Sequence, residues 1–160
     1  MIGPTSARDI FEEARAAAID AERTRRSLAA MEAREGVSGQ SWEVRSSAGS
    51  PDPMSGVDAR LDREREWHAR IERDYAVVDH ACCILYGAAQ DGHGGVAALL
   101  SASVADVLWW RYCAAESWRY AADVVGYSES WCHEHAQVAF DLIDSIGVSA
   151  TIGGLGDAEG

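Results

Sequence analysis

Apolar and polar residues alternate with helical spacing over two long stretches of the chain. Residues 6–35 contain neither Pro nor Gly, and their apolar positions recur at threes, fours and sevens: Ile10, Ala14, Ala17, Ala21, Leu28 and Met31. This spacing predicts an amphipathic helix. Ser6 followed by Asp9 resembles the capping box that begins many helices, with Asp in place of the usual Glu. The helix is longer than an ordinary globular helix, which indicates one half of a coiled-coil-like arm.

A second amphipathic stretch follows a linker. Residues 36–56 are rich in Gly, Ser and Pro, a composition that predicts a flexible segment. From residue 57 to residue 90 the apolar positions again form one stripe: Val57, Leu61, Trp67, Ile71, Tyr75, Val78, Cys82 and Leu85. Two long helices joined by a flexible loop most simply fold into an antiparallel hairpin. We therefore predict a long helical hairpin arm over residues 6–90.

The C-terminal half has the pattern of shorter helices. QDGHGG (90–95) is a break, and a short helix follows with core positions at Val104, Val107, Leu108 and Tyr112. In residues 117–144, SWRYAADVVGYSESWCHEHAQVAFDLID, Ser117 and Ser128 are candidate N-caps and Gly126 is a candidate tight turn. The inward positions at helical spacing are Trp118, Ala121, Ala122 and Val125, then Trp131 or Cys132, His135, Ala136, Ala139, Phe140 and Ile143. We predict an all-α fold with a helix-turn-helix domain over residues 96–147 and a flexible tail over 148–160.

These residues also carry a resemblance to a known family. VLWWRYCAAESWRYAADVVGYSESWCHEHAQVAFDLI is similar to region 4 of sigma-70-type factors, and especially to the ArpU/RinA-like late-gene transcription regulators of phages and prophages. The positions that match are Leu108, Arg111, Tyr112, Ser117, Trp118, Ala121, Ala122, Gly126, Tyr127, Ser128, His135, Ala139 and Phe140. The resemblance implies a transcription regulator that contacts promoter DNA, RNA polymerase, or both, in the cytoplasm of a bacterial host cell.

The resemblance also implies which residues would touch DNA. The second helix would enter the major groove with its outward residues, which are Ser128, Glu129, Ser130, Trp131, His133, Glu134 and Gln137. Phosphate contacts would come from Arg111, from Arg119 and from helix N-termini, unless the arginine-rich arms assist. The chain departs from the family here, because positions that are commonly basic hold Glu129, Trp131 and His133.

The charge distribution keeps a second function open. The net charge is −12, and residues 74–160 contain only Arg111 and Arg119 against 12 acidic residues. Proteins that bind duplex DNA normally neutralise phosphates with Lys and Arg. The alternative is therefore an acidic helical protein-interaction module that keeps the helix-turn-helix fold without binding DNA.

Other functional classes have weaker support in the sequence. The chain has no phosphate-binding loop, nucleophile elbow or dinucleotide fingerprint, so we do not expect an enzyme or a cofactor. His80 with Cys83, and Cys132 with His135, have the spacing of zinc ligands on two facing helices. Cys132 and His135 also lie on the inward face, where a free thiol is commonly a small buried residue; we therefore predict no metal site. No stretch is apolar enough to predict a membrane span.

The composition of the arm bears on oligomeric state. Its apolar stripe contains several Ala residues, which bury little surface, so a second copy packing against the first hairpin is the expected partner. Such a homodimer would present two helix-turn-helix modules to a palindromic or repeated site. The alternative is a monomer whose hairpin folds back on its own C-terminal domain.

Overall fold

The protein is helical throughout the part of the chain that the structure describes. This computed structural model describes the backbone of residues 5–45 and 53–155 and the side chains of residues 5–34 and 56–155. The helices are α1 (Ala7–Arg45), α2 (Pro53–Tyr86), α3 (Gly95–Leu99), α4 (Ala102–Leu108), α5 (Trp118–Val125), α6 (Glu129–Ile146) and α7 (Val148–Gly153), and a π-helical turn, Trp109–Cys113, follows α4. These residues include no strand, so the predicted all-α class is confirmed for them. Within the same ranges, no helix combines the length and the apolar character that crossing a bilayer would need.

The long helices extend further into the predicted linker than the composition indicates. Helix α1 continues to Arg45 and α2 begins at Pro53. The linker predicted over 36–56 is therefore wrong for 36–45 and 53–56, and its remaining residues, 46–52, lie outside the described part. Adding a residue to an existing helix gains one backbone hydrogen bond, so Gly and Ser weaken a helix without ending it. Proline at the first helical position is favourable, because its missing N–H would have no intrahelical partner there.

The chain divides into two compact units at places other than the predicted domain boundaries. Unit 1 comprises Met1–Ile19 and Tyr75–Gly160, and unit 2 comprises Asp20–Asp74. The hydrophobic core of unit 1 takes residues from the start of α1 and the end of α2 as well as from α4 to α6; its largest members are Phe11, Ile84, Leu85, Leu108, Tyr112, Phe140 and Ile143. The predicted arm, residues 6–90, therefore contributes both of its ends to the C-terminal unit. Both ends of the arm join this unit because packing there removes their apolar surface from water.

Phe11 is the centre of this packing, and it was absent from the predicted apolar stripe. Its side chain is fully buried, and its ring centroid lies 5.7 Å from that of Tyr112 and 5.6 Å from that of Phe140. The buried face of α1 runs through Ala7, Phe11 and Ala14, whereas the predicted position Ile10 is only partly buried. The helical face was therefore predicted about one residue out of phase at its start.

The flexible tail predicted over residues 148–160 is wrong for residues 148–155. Helix α7 occupies most of this range, and the buried Thr151 hydroxyl donates a hydrogen bond to the Gly147 carbonyl at 2.7 Å. Gly94 makes the packing of α7 feasible, since a Cβ atom there would collide with the Ile152 carbonyl oxygen. Residues 156–160 lie outside the described part of the chain.

In unit 2, α1 and α2 contact each other through a group of charged side chains. The Arg70 guanidinium donates two hydrogen bonds to the Asp20 carboxylate, one of them with an N–O distance of 2.7 Å. Arg70 lowers the pKa of Asp20. Burial, followed by the neighbouring Asp20 carboxylate, raises the pKa of Asp74 to about 6. Asp74 is therefore a carboxyl whose ionisation costs the folded state free energy.

Candidate nucleic-acid interface

Helices α5 and α6 are joined by a turn of three residues, Gly126 to Ser128. Gly126 has a φ of 88°, in the left-handed region, and its N–H donates to the Ala122 carbonyl at 2.8 Å. No other atom lies within 4 Å of a Cβ built there, so the backbone conformation alone favours glycine. The Ser128 hydroxyl then accepts a hydrogen bond from the Trp131 N–H at 3.1 Å and caps α6. Ser117 caps α5 in the same way through the Tyr120 N–H, so both predicted N-caps are confirmed.

Small buried residues hold α4, α5 and α6 together. Val107, Ala122 and Cys132, one from each helix, form a cluster against which Trp118, Val125 and Trp131 pack. Ala121 is also fully buried. Small side chains allow the axes of these helices to approach closely. The inward stripe predicted for α5 and α6 is confirmed in its alanines, Cys132, Phe140 and Ile143, all of which are buried.

The predicted DNA-contacting residues fall into two groups in the structure. Five are exposed on the surface of α5 or α6: Arg119, Glu129, Ser130, His133 and Glu134. The His133 ring centroid lies 4.2 Å from that of Trp118, which fixes the direction in which the imidazole points. Arg119 lies on α5, and the other four lie in the N-terminal half of α6.

The other three predicted contacts have structural partners. The Ser128 hydroxyl is engaged in the cap of α6. The Trp131 ring is partly buried and stacks between Tyr127 and His135, with centroid distances of 3.8 Å and 3.9 Å. The Gln137 side chain accepts a hydrogen bond from Arg8 at 2.5 Å and donates one to Asp141 at 2.9 Å. Gln137 is exposed, whereas Trp131 is half-buried and packs the turn against α6.

The basic side chains near this face differ from those that the sequence indicated. The Arg111 guanidinium donates to the Glu116 carbonyl at 3.3 Å and lies 5.1 Å from the Trp118 ring centroid, so it supports the turn before α5. Arg8, from the first turn of α1, contacts α6 instead. The sequence left the arginine-rich arms open as a further source of phosphate contacts, but it did not single out Arg8, because residues 6–35 were assigned to a separate arm. The signal that could have found it is Phe11, a large apolar residue three positions away.

The electrostatic character of unit 1 is strongly acidic. Residues 5–19 and 75–155 contain four arginines (Arg8, Arg15, Arg111 and Arg119) against twelve acidic residues. Two of the acidic residues, Glu129 and Glu134, are exposed on the N-terminal half of α6. A carboxylate near a helix N-terminus is stabilised by the helix dipole. The same carboxylates oppose the approach of a phosphate backbone.

The residues considered as zinc ligands are not brought together. Cys132 is fully buried beside Val107 and Ala122, whereas the Cys83 thiol contacts the Ala88 carbonyl at 3.9 Å. Among the residues that the structure describes, no group of three His, Cys, Asp or Glu side chains is arranged to hold a metal ion. Two other thiols do meet: the sulfur atoms of Cys82 and Cys113 are 3.6 Å apart in the core.

Comparison with known protein families, with curated proteins and with solved structures finds no match to the chain.

Proposed function

We propose that the protein is a sequence-specific DNA-binding transcription regulator in which α5 and α6 form a helix-turn-helix similar to sigma region 4. The observation that carries the proposal is the junction of α5 and α6, which consists of a glycine turn and a serine N-cap. A three-residue turn with left-handed Gly126 and the Ser128 cap precede the N-terminal half of α6, on which Glu129, Ser130, His133 and Glu134 are exposed. In helix-turn-helix proteins this half of the second helix contacts base edges in the major groove.

The exposed side chains of α6 supply groups suited to base recognition. Ser130 and His133 are able to hydrogen-bond base edges, and Glu129 and Glu134 are able to accept from the cytosine amino group. Arg119 is exposed on α5, the helix that precedes the reading helix, where helix-turn-helix proteins contact phosphate. RNA polymerase is the further partner in this proposal, as the resemblance to sigma region 4 implies.

Selection from a pool of random-sequence duplexes tests the proposal. The chain is mixed with the pool, bound duplexes are recovered and sequenced, and affinities for a selected and a random duplex are then measured by fluorescence anisotropy. His133→Ala and Gln137→Ala should each cost about 1–3 kcal/mol on the selected duplex and little on the random one. Ser145→Ala is the matched control, since Ser145 is exposed at the far end of α6 and should leave both affinities unchanged. Failure to enrich any sequence would overturn the proposal.

The second candidate is an acidic protein-interaction module, and a specific observation favours it. Tyr120, Val124 and Tyr127 are between 43% and 47% exposed along α5 and the turn. Exposed apolar side chains that lie next to one another are typical of interaction surfaces, and the acidic excess of unit 1 would favour a basic protein partner. If the protein is such an interaction module, selection from random duplexes enriches no sequence. Tyr120→Ala then leaves the protein folded but impairs its function in the cell.

We also propose that the long helices of unit 2 form a hairpin through which two copies dimerise. The contact of α1 with α2 through Asp20 and Arg70 supports the hairpin. The predicted alternative, in which the arm packs on its own C-terminal domain, applies to residues 7–14 and 81–85, which belong to the core of unit 1. Light scattering decides the oligomeric state: a dimer mass is expected, and a monomer mass at tens of micromolar protein would contradict it.

A further inference from the structure

The first turn of α1 is fixed against the C-terminal half of α6. The Ala7 N–H donates a hydrogen bond to the Asp144 carboxylate at 2.8 Å. One turn further on, Phe11 is fully buried against Phe140. Because these two contacts flank Arg8, its position beside α6 is set by the core of unit 1.

The Arg8 side chain lies on the outward face of α6. One of its terminal nitrogens donates to the Gln137 side-chain oxygen at 2.5 Å, and its guanidinium carbon lies 5.1 Å from the Phe140 ring centroid. Arg8 is exposed to solvent. A guanidinium has five N–H donors, so the bond to Gln137 leaves others able to contact a ligand.

The contact with Gln137 places Arg8 beside the middle of α6. Gln137 lies eight residues after Glu129, the first residue of α6, which corresponds to about 12 Å along the helix axis. In a helix-turn-helix the N-terminal residues of the second helix contact base edges. Gln137, about two turns further along α6, is therefore the last candidate base contact, and Arg8 beside it lies closer to the edge of the groove and its phosphates.

We propose that Arg8 contacts a DNA phosphate there, so that the DNA-binding surface combines α1 with α5 and α6. This inference rests on the proposed function and adds a residue that the helix-turn-helix itself lacks. Arg111 is unsuited to this role, because it is hydrogen-bonded to the Glu116 carbonyl and packed on Trp118. Arg8 also holds the Gln137 amide in one orientation, and the experiment has to separate that positioning effect from phosphate contact.

Two substitutions separate the two effects. Arg8→Gln removes the charge but keeps an N–H donor for Gln137, whereas Arg8→Lys keeps the charge and loses the planar guanidinium. Arg25→Ala is the matched control, because Arg25 is an exposed arginine of unit 2 that pairs with Glu22. Affinity for the selected duplex is measured by fluorescence anisotropy between about 50 and 200 mM salt, a range over which phosphate contacts produce a strong dependence. Thermal melting by circular dichroism confirms that each variant is folded.

The expected result is a change in salt dependence. The slope of log K against log salt is negative, and Arg8→Gln should make it shallower by about 0.9, which is equivalent to the loss of one phosphate contact. The same variant should weaken binding about fivefold at 0.15 M salt. Arg8→Lys should keep the slope, and Arg25→Ala should match the wild type. A wild-type slope in Arg8→Gln would overturn the inference and leave the proposed function intact. Loss of affinity in Arg8→Lys with an unchanged slope in Arg8→Gln would assign Arg8 to positioning Gln137, which also overturns it. A wild-type chain that binds no duplex would overturn both.

Discussion

Replacing Phe11 by Ala tests whether the start of α1 is an integral part of the C-terminal unit. The Phe11 side chain is fully buried, and it contacts the rings of Tyr112 and Phe140. Replacing a buried Phe by Ala costs about 3–5 kcal/mol. Aromatic pairs contribute about 0.5–1.5 kcal/mol beyond their buried area, and Phe11 takes part in two such pairs. We therefore expect a loss of at least the middle of that range, about 4 kcal/mol, which is a large share of the roughly 5–15 kcal/mol typical of a whole domain.

Urea unfolding followed by far-ultraviolet circular dichroism measures this loss. With a slope of about 2 kcal/mol per molar urea, the midpoint should fall by about 2 M. All variants are compared at one protein concentration, since association would otherwise change the apparent stability. Tyr120→Ala is the control, because Tyr120 is 46% exposed and its replacement should cost less than about 1 kcal/mol. If Phe11→Ala also costs less than about 1 kcal/mol, the assignment of α1 to the core of unit 1 is refuted.

Three further predictions concern the turn, the charged group in unit 2 and the thiols. Gly126→Ala should destabilise the fold by about 1–2 kcal/mol in urea, because Gly126 adopts a left-handed φ of 88°; an unchanged midpoint would contradict that turn. At pH values above 6, Asp74→Asn should raise the free energy of unfolding by about 1 kcal/mol; the effect is this small because the Asp74 carboxyl is partly exposed and solvent screens its charge. The folded pKa of Asp74, about 6, exceeds the unfolded value of 3.8, so its ionisation destabilises the fold as the pH rises between these values, and the gain should vanish below pH 3.8. Iodoacetamide should modify Cys83 before Cys132 in native protein, since Cys132 is fully buried and burial raises the pKa of its thiol; mass spectrometry of digested protein checks this, and equal rates would contradict the burial of α6.

Local signals in the sequence were sufficient for the junction of α5 and α6. Ser117 and Ser128 have the side chain that caps a helix, and Gly126 has the conformational freedom that a left-handed turn requires. The periodicity of Ala121, Ala122, Cys132 and Phe140 identified the buried faces. Each of these features depends on residues within about one helical turn, so their outcome needed no knowledge of distant contacts.

The division of the chain into units could not be predicted in this way. Phe11 lies in a stretch of regular helical pattern, and nothing adjacent to it indicates that its partners are Tyr112 and Phe140, about a hundred residues away in the chain. The same holds for residues 148–155, whose glycines and small residues indicate a mobile tail until α7 packs close to Gly94. At Phe11 and at residues 148–155, burial against residues distant in the chain decided the structure, and local composition did not indicate it.

The sequence by itself therefore determined the helical class, the helix caps and the inward faces of α5 and α6. Only the tertiary structure decided which side chains share a surface. It moved Arg8 from a supposed separate arm to the outward face of α6, and it engaged Gln137 with both Arg8 and Asp141. The physical reason is that caps, turns and helical periodicity are set by neighbours in the chain, whereas burial and charge pairing are set by neighbours in space.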